Sequence, residues 1–290
     1  MISIVVCSIR PQMAEALARN IEASIGVEYE LIVIDNRGSD RGLCRVYNEG
    51  AGRARYEVVC FMHEDVEFLE AGWGRNVLAH FAEDPQLGVI GVAGARFKSR
   101  APSGWMTSGR ERYNCSHLHQ GSGPDDELLH SRRAGDERRI RVCTLDGVWI
   151  CARRAVWEAL RFNEQLRNFH FYDVDFALRA SQEHAVAVVY DVELRHFSGG
   201  HFDGRWMEEA LAYHQRIVSV PLPMALDDLD EAVLRRLERR GIHSWLKFLR
   251  KAKVPLALRW RWLRACRVQS YPGLWWLALK FLFYYPLKFR

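Results

Sequence analysis

The run Val58-Val59-Cys60-Phe61-Met62-His63-Glu64-Asp65-Val66-Glu67-Phe68 decides the fold. Its apolar half leads straight into His-Glu-Asp, with no Gly, Pro or Ser to announce a turn. A short apolar run with two valines and a Phe reads as a strand buried on both faces, as in the interior of a parallel sheet. Side chains alternate along extended backbone, so His63 and Asp65 share one face of its end while Glu64 points the other way. Open α/β sheets bind ligands beyond the carboxyl ends of their strands. A His and a carboxylate side by side there make half a site for a divalent cation. The competing reading is a helix cap or solvated loop, since acidic residues often follow strands.

Outward from this strand the pattern is β-α-β-α-β over the first 65 residues, the signature of a right-handed parallel sheet. Residues 2–7 form a first strand, and Pro11 suits the first turn of a helix through about Ile25. Met13, Ala16, Leu17, Ile21 and Ile25 recur at helical spacing. Residues 29–34 form a second strand ending in Asp35-Asn36-Arg37-Gly38-Ser39-Asp40, and residues 43–54 a second helix. Beyond the central strand come a helix at 73–81, a glycine-dotted strand at 88–95 and a polar, Gly-rich loop at 97–139. Cys115-x-His117-x-His119 inside that loop matches no common structural zinc spacing. Order returns at 142–150, followed by a helix at 154–160 and a helix opened by Tyr172-Asp173-Val174-Asp175. Strands at 185–190 and 192–194 follow, then helices at 206–218 and 227–240, the second closed by Gly241.

With 290 residues the chain can bury a full core. The net charge of +5 hides an asymmetry: residues 239–290 hold 13 Lys or Arg and no acid, and the remainder carries 28 basic residues against 36 acidic. Seven cysteines without a CxxC pair fit buried free thiols in a reducing cytosol. The chain starts directly with a strand, so no signal peptide is expected, and no apolar run reaches the about 18–20 residues a membrane span needs.

The ordered set of motifs resembles family 2 glycosyltransferases of the GT-A fold. It comprises the second strand ending in Asp35, Asn48-Glu49-Gly50 before the third strand, the acidic triplet after it, Asp146-Gly147, Arg153-Arg154-Ala155-Val156-Trp157, Phe162-Asn163-Glu164, Tyr172-Asp173-Val174-Asp175 leading to Arg179, and His196. It covers about residues 1–205. His63-Glu64-Asp65-Val66 with Gly91-Val92-Ala93-Gly94 is similar to the subgroup named after a streptomycin-biosynthesis protein. Most members carry Asp where His63 stands, and usually Glu where Tyr172 stands.

The resemblance implies a GT-A type, Rossmann-like, mostly parallel central sheet flanked by helices. Residues 1–220 would form the glycosyltransferase domain, with 1–100 as nucleotide-sugar half and 101–220 as acceptor half, and 221–290 a helical C-terminal extension. It implies inverting transfer of a sugar from a nucleotide-diphosphate donor to a saccharide or lipid-linked acceptor, as in bacterial polysaccharide, lipopolysaccharide or glycoconjugate synthesis. Asp173 would be the base that takes the acceptor proton. Ser8, Asp35, Asn36, Asn48, Glu64, Asp65, Asp146 and Gly147 would surround the nucleotide sugar. Asp65, with His63 and His196, would hold Mn²⁺ or Mg²⁺, and mixed N/O ligands suit Mn²⁺ better. Each residue has a plainer reading: Asp35 as a turn former, Asp173 and Asp175 as carboxylates at a helix start, His196 as a hydrogen-bonded structural His, Arg179 as an ion-pair partner. An inactive sugar-nucleotide-binding or membrane-scaffold protein is a second reading, though retention of Asp65 and Asp173 argues against it. A nucleotidyltransferase would want a Gly-rich, Lys-containing phosphate loop, which Ser8-Ile9-Arg10-Pro11 is not.

Five of the ten tryptophans (Trp245, Trp260, Trp262, Trp275, Trp276) fall in the basic tail. Arg and Lys mixed with Trp describe a peripheral membrane contact through 245–290, at the cytoplasmic face of a cell membrane. The rival is a helical subdomain packed on the body. No nucleic-acid motif accompanies the basic residues.

Overall fold

Both faces of the 58–62 strand are covered, as its unbroken apolar run demands. The protein is described from a computed structural model, which covers residues 1–107, 111–121, 127–130, 137–198, 203–271 and 273–279. Its first half runs β1 (Ile2–Ser8), α1 (Pro11–Ser24), β2 (Tyr29–Asp35), α2 (Leu43–Ala51), β3 (Val58–Met62), β4 (Val66–Phe68), α3 (Trp73–Glu83), β5 (Leu87–Gly91), β6 (Ala93–Ala95) and β7 (Phe97–Lys98). Then come β8 (Asn114–Gln120), β9 (Glu127–His130), β10 (Arg139–Arg141), β11 (Thr144–Leu145), β12 (Trp149–Arg153), α4 (Arg154–Leu160), α5 (Tyr172–Ala180), β13 (Ala185–Val189) and β14 (Leu194–His196). The chain continues with α6 (Gly204–Ala212), a π-turn at Tyr213–Ile217, β15 (Met224–Ala225), α7 (Glu231–Lys251), α8 (Leu256–Ala265) and α9 (Leu274–Leu279).

The main sheet has the order β10-β13-β5-β12-β3-β1-β2. β2, β1 and β3 run parallel, β12 lies antiparallel between β3 and β5, and β13 returns parallel to β5. Alternation divides the strands between two layers. Ile2, Ile4, Val6, Val58, Cys60 and Met62 pack under α1 and α3, whereas Val5, Val59 and Phe61 face α2, α4 and α5. A second sheet, β11-β6-β8-β14-β4, stands beyond the carboxyl end of β3 and crowds the site from that side.

Four sequence expectations are corrected. The 88–95 strand is two strands in different sheets, broken at Val92. A Cβ on Gly94 would lie 2.2 Å from the Thr144 carbonyl oxygen, so glycine there permits the close pairing of β6 with β11. The polar 97–139 region contains β7, β8, β9 and the start of β10, of which β8 and β10 are partly exposed, and residues 108–110, 122–126 and 131–136 lie outside the described ones. Gly241 does not end a helix: α7 runs through it, because the stripe Leu237, Ile242, Trp245, Leu246 and Leu249 keeps one face buried on both sides of it. Finally, Cys60 and Cys151, paired in register across β3 and β12, form a disulfide with a Cα separation of 4.0 Å, leaving five free cysteines.

The basic tail packs on the body over much of its length. Trp245 stacks on Trp206 at 5.2 Å, and Trp262 is fully buried with its indole N–H donated to the Pro102 carbonyl at 2.7 Å. Trp275 and Trp276 are exposed, and residues 280–285 of the apolar 274–285 stretch lie outside the described residues. Among the described residues, no helix is long and apolar enough to cross a membrane.

Candidate active site

Three strand ends and one helix start converge here. After β3 the chain leaves the main sheet through His63, Glu64 and Asp65 and enters β4. His63 and Asp65 do share a side and Glu64 points away, but not through strand alternation: β3 ends at Met62, and Glu64 and Asp65 form the turn that leads into β4. Glu64 turns back to the start of α1, accepting from Ser8 Oγ (2.7 Å), from the Ile9 and Arg10 amides and from Arg10 Nε. With that many donors on one carboxylate, Glu64 and Ser8 fasten β3 to β1. Arg10 reaches on to Asp65 Oδ2 at 3.3 Å, a contact the sequence did not signal.

His63 and Asp65 face His196, which β14 brings opposite Val66. Asp65 Oδ1 lies 3.9 Å from His63 Nδ1 and 3.5 Å from His196 Nε2, and the two imidazole nitrogens are 3.4 Å apart. The circumradius of that triangle is about 2.1 Å, the length of a transition-metal bond to N or O. The three form the single such cluster of potential ligands among the described residues. Burial draws the Asp65 carboxyl up, but the His196 hydrogen bond and the charges of His196, His63 and Arg10 outweigh it and hold it well below the usual range. Burial and the charge of His196 press His63 down to about 4, so it is neutral near pH 7, as a ligand must be.

The tautomer of His63 follows from its neighbour. Tyr172 has one hydroxyl proton and donates it to the Gly147 carbonyl at 2.8 Å. The 2.9 Å contact between His63 Nε2 and that hydroxyl must then be donated by the imidazole, leaving Nδ1 as a lone pair toward Asp65 and His196. This is the second-sphere arrangement a metal-binding His uses. His196 is set differently. Its Nδ1 accepts from the Gln120 amide at 3.2 Å, an amide also donated to the Ser198 carbonyl, and its Nε2 therefore carries the proton. Ligation through Nε2 would require that amide to turn over.

Asp173 sits in the first turn of α5, where its Oδ2 accepts from the Gly147 amide at 2.9 Å. One peptide group thus serves the Asp173 carboxylate with its N–H, while the carbonyl of the same residue anchors Tyr172. Asp146 shapes this turn by accepting from the Val148 amide at 2.8 Å. Burial pushes the Asp173 carboxyl up to about 7 and the charge of Asp146 pushes the same way, against the pull of the Val174, Asp173 and Gly147 amides. Asp175 pairs with Arg179 at 2.8 Å, so Arg179 is a structural ion-pair partner.

The remaining candidates lie on the β1–β2 side. Ser8 is in register with Asp35, and the Asn36 amide donates to the Ser8 carbonyl at 2.8 Å. Asp35 is exposed, and hydrogen bonds from the Arg37 side chain and amide lower its carboxyl to about 2. Asn36 donates to the Arg41 carbonyl, and its buried Oδ1 has no partner among the described residues. Asn48 spends its amide on the Phe162 backbone, Glu164 and the Trp157 indole; it holds the 157–164 connection in place. Tyr172, Gln120 and Arg10 are the neighbours that sequence reasoning gave no role; Tyr172 was marked only by departing from the usual Glu.

The mixed α/β sheet flanked by helices is of the GT-A type, and a carboxylate and two imidazoles stand at its carboxyl edge. Residues 3–214 match the glycosyltransferase-like family, and the chain belongs to it. Among solved structures it is similar to S. aureus TarS 1–349 in complex with UDP-GlcNAc (14% identity, TM-score 0.55, 93% of this chain and 81% of that one). It is also similar to the mannosyltransferase PcManGT from Pyrobaculum calidifontis in complex with GDP-Man and Mn²⁺ (13% identity, TM-score 0.52, 99% and 86%). A Fuscovulum blasticum protein described as "ATP synthase subunits region ORF 6" is 27% identical over 172 residues, 58% of this chain, and the match spans 63% of that protein's length.

Proposed function

We propose that the protein is an inverting, cation-dependent glycosyltransferase that moves a sugar from a nucleotide-diphosphate donor to an acceptor hydroxyl. The observation that carries this reading is the placement of Asp173, a carboxylate held at the start of α5 by the Gly147 N–H, while the Gly147 carbonyl holds the Tyr172 hydroxyl that orients His63. A base with its pKa near working pH takes a proton efficiently while remaining largely ionised. His63, Asp65 and His196 would hold the divalent cation, with Mn²⁺ favoured by the mixed donor set. When bound, such a cation neutralises the charge that gathers on a leaving diphosphate. Arg10 adds a fixed positive charge beside Asp65. The unpartnered Asn36 Oδ1 supplies a buried acceptor for a base or ribose donor, and Asp35 a second one at the rim.

The acceptor, on this reading, is a saccharide or lipid-linked glycan of a bacterial surface polymer, met at the inner face of a membrane. The support is the uncompensated basic tail with its exposed Trp275 and Trp276. A panel of nucleotide sugars, read by hydrolysis and by protection against thermal unfolding, tests the core of the proposal. One donor should raise the melting temperature, more so with Mn²⁺ than with chelator. No protection by any nucleotide or nucleotide sugar would refute it.

A further inference from the structure

Away from this site, a cleft of about 470 Å³ opens between the 213–222 segment and the end of α8. Three arginines line it, Arg100, Arg264 and Arg267, with His214 at its wall and Val220 and Leu222 as apolar flank. Arg100 is steered by its Nε hydrogen bond to the Leu222 carbonyl. Arg264 and Arg267 have no carboxylate partner among the described residues, unlike Arg96, Arg138 and Arg139, which are all ion-paired. His214 donates Nδ1–H to the Ala210 carbonyl at 2.8 Å, so its Nε2 is a lone pair, and that buried atom has no partner among the described residues. Burial and the charge of Lys98 hold the ring well below the usual imidazole range and keep it neutral. A buried acceptor left unfilled is unfavourable.

These groups ask for a ligand of mixed character. Arginine forks match phosphate oxygens, whereas a neutral imidazole nitrogen repels an anion and needs a donor such as a hydroxyl. The volume exceeds what a bare oxyanion fills and lies in the range of small organic ligands. We infer that the cleft binds a hydroxylated phosphate ester, its phosphate on Arg264, Arg267 and Arg100 and a hydroxyl on His214 Nε2. Such a group occurs free, as a polyol or sugar phosphate, and in the headgroup of phosphatidylglycerol. The inference stands apart from the sugar-transfer reading, because binding is measured without donor or turnover.

Titration calorimetry on the full chain in chelator, with glycerol 3-phosphate and with inorganic phosphate, tests it. Vesicles of phosphatidylglycerol and of phosphatidylcholine form the second arm. Glycerol 3-phosphate should bind more tightly than inorganic phosphate. Arg264→Ala/Arg267→Ala should weaken both by about tenfold or more, and Arg264→Lys/Arg267→Lys should recover part of the loss. His214→Ala should remove the preference for glycerol 3-phosphate and leave inorganic phosphate unchanged. Asp65→Ala should change neither, which places the signal outside the cation site. Lys247→Ala/Lys251→Ala, an equal loss of charge elsewhere on the tail, should also be neutral. Binding of phosphatidylglycerol vesicles alone, with the same Arg dependence, identifies the lipid headgroup as the source. The inference is overturned if the alanine pair binds both probes and vesicles as the parent does. Equal weakening by the Lys247/Lys251 pair, or equal loss of both phosphates in His214→Ala, also overturns it.

Discussion

At the scale of single residues, Asp173 and Tyr172 make separable predictions. Asp173→Asn should fold and bind donor, with transfer reduced by about 10² or more. In the parent enzyme transfer should rise with pH and level off above about 7, where Asp173 is ionised. The same shift has a stability consequence of known sign. Folded Asp173 keeps its proton to higher pH than the unfolded chain, whose carboxyl titrates near 3.8, so its favourable contribution is present below that value and lost as pH rises through about 7. Asp173→Asn should therefore be more stable than the parent at pH 8, by about 1–3 kcal/mol, and no more stable at pH 4. Denaturant melts at the two pH values check this, and equal differences would remove Asp173 as the titrating group. Tyr172→Phe deletes the hydroxyl that accepts from His63 and spares the carboxylate next door. Mn²⁺ affinity, followed by spin resonance of the free ion, should fall about tenfold. Unchanged affinity would show that His63 needs no such orientation.

At the scale of elements, the turn from β3 into β4 was the most legible part of the chain. The expectation that His63 and Asp65 point one way and Glu64 the other was met, although the backbone that does it is a turn at Glu64 and Asp65 and not the extended strand assumed. The destination of Glu64 was not legible, because its partners Ser8, Ile9 and Arg10 lie more than fifty residues earlier. α1 has no side-chain cap of its own, and Glu64 fills that function from a neighbouring strand. Glu64→Ala should cost about 1–3 kcal/mol in a thermal or denaturant melt; a neutral outcome would mean water replaces the carboxylate. The second sheet was missed for a similar reason. Its strands are short, partly exposed and paired with distant segments, so β8 and β14 carry little periodic signal alone. Tyr172 shows a third limit: a residue that acts through another's tautomer leaves no motif.

At the scale of the molecule, the C-terminal helices are not a removable appendage. Trp245, Leu246, Leu249 and Trp262 belong to the same core as Phe171, Phe176 and Tyr213. Ending the chain near Gly241 would cut α7 in the middle and open that core. Membrane docking is better tested on the intact chain, with Trp275→Ala/Trp276→Ala removing exposed aromatics only. Parent protein should float with anionic liposomes at low salt and release as salt rises, and the variant should float less. Flotation that is equal for the two, or absent in both, would leave those tryptophans without a membrane role.

Gly147 lies in the link that leaves the second sheet at β11 and enters the main sheet at β12. A Cβ there would stand 2.0 Å from the Tyr172 hydroxyl, so no other residue fits without displacing it. The N–H that grips Asp173 and the carbonyl that grips Tyr172 flank a single α-carbon, and Tyr172 and Asp173 are themselves neighbours in α5, so base and imidazole are tied to one residue as if by a short ruler. Efforts to widen the acceptor side should spare this residue and its two partners, and alter walls that do not lean on the ruler.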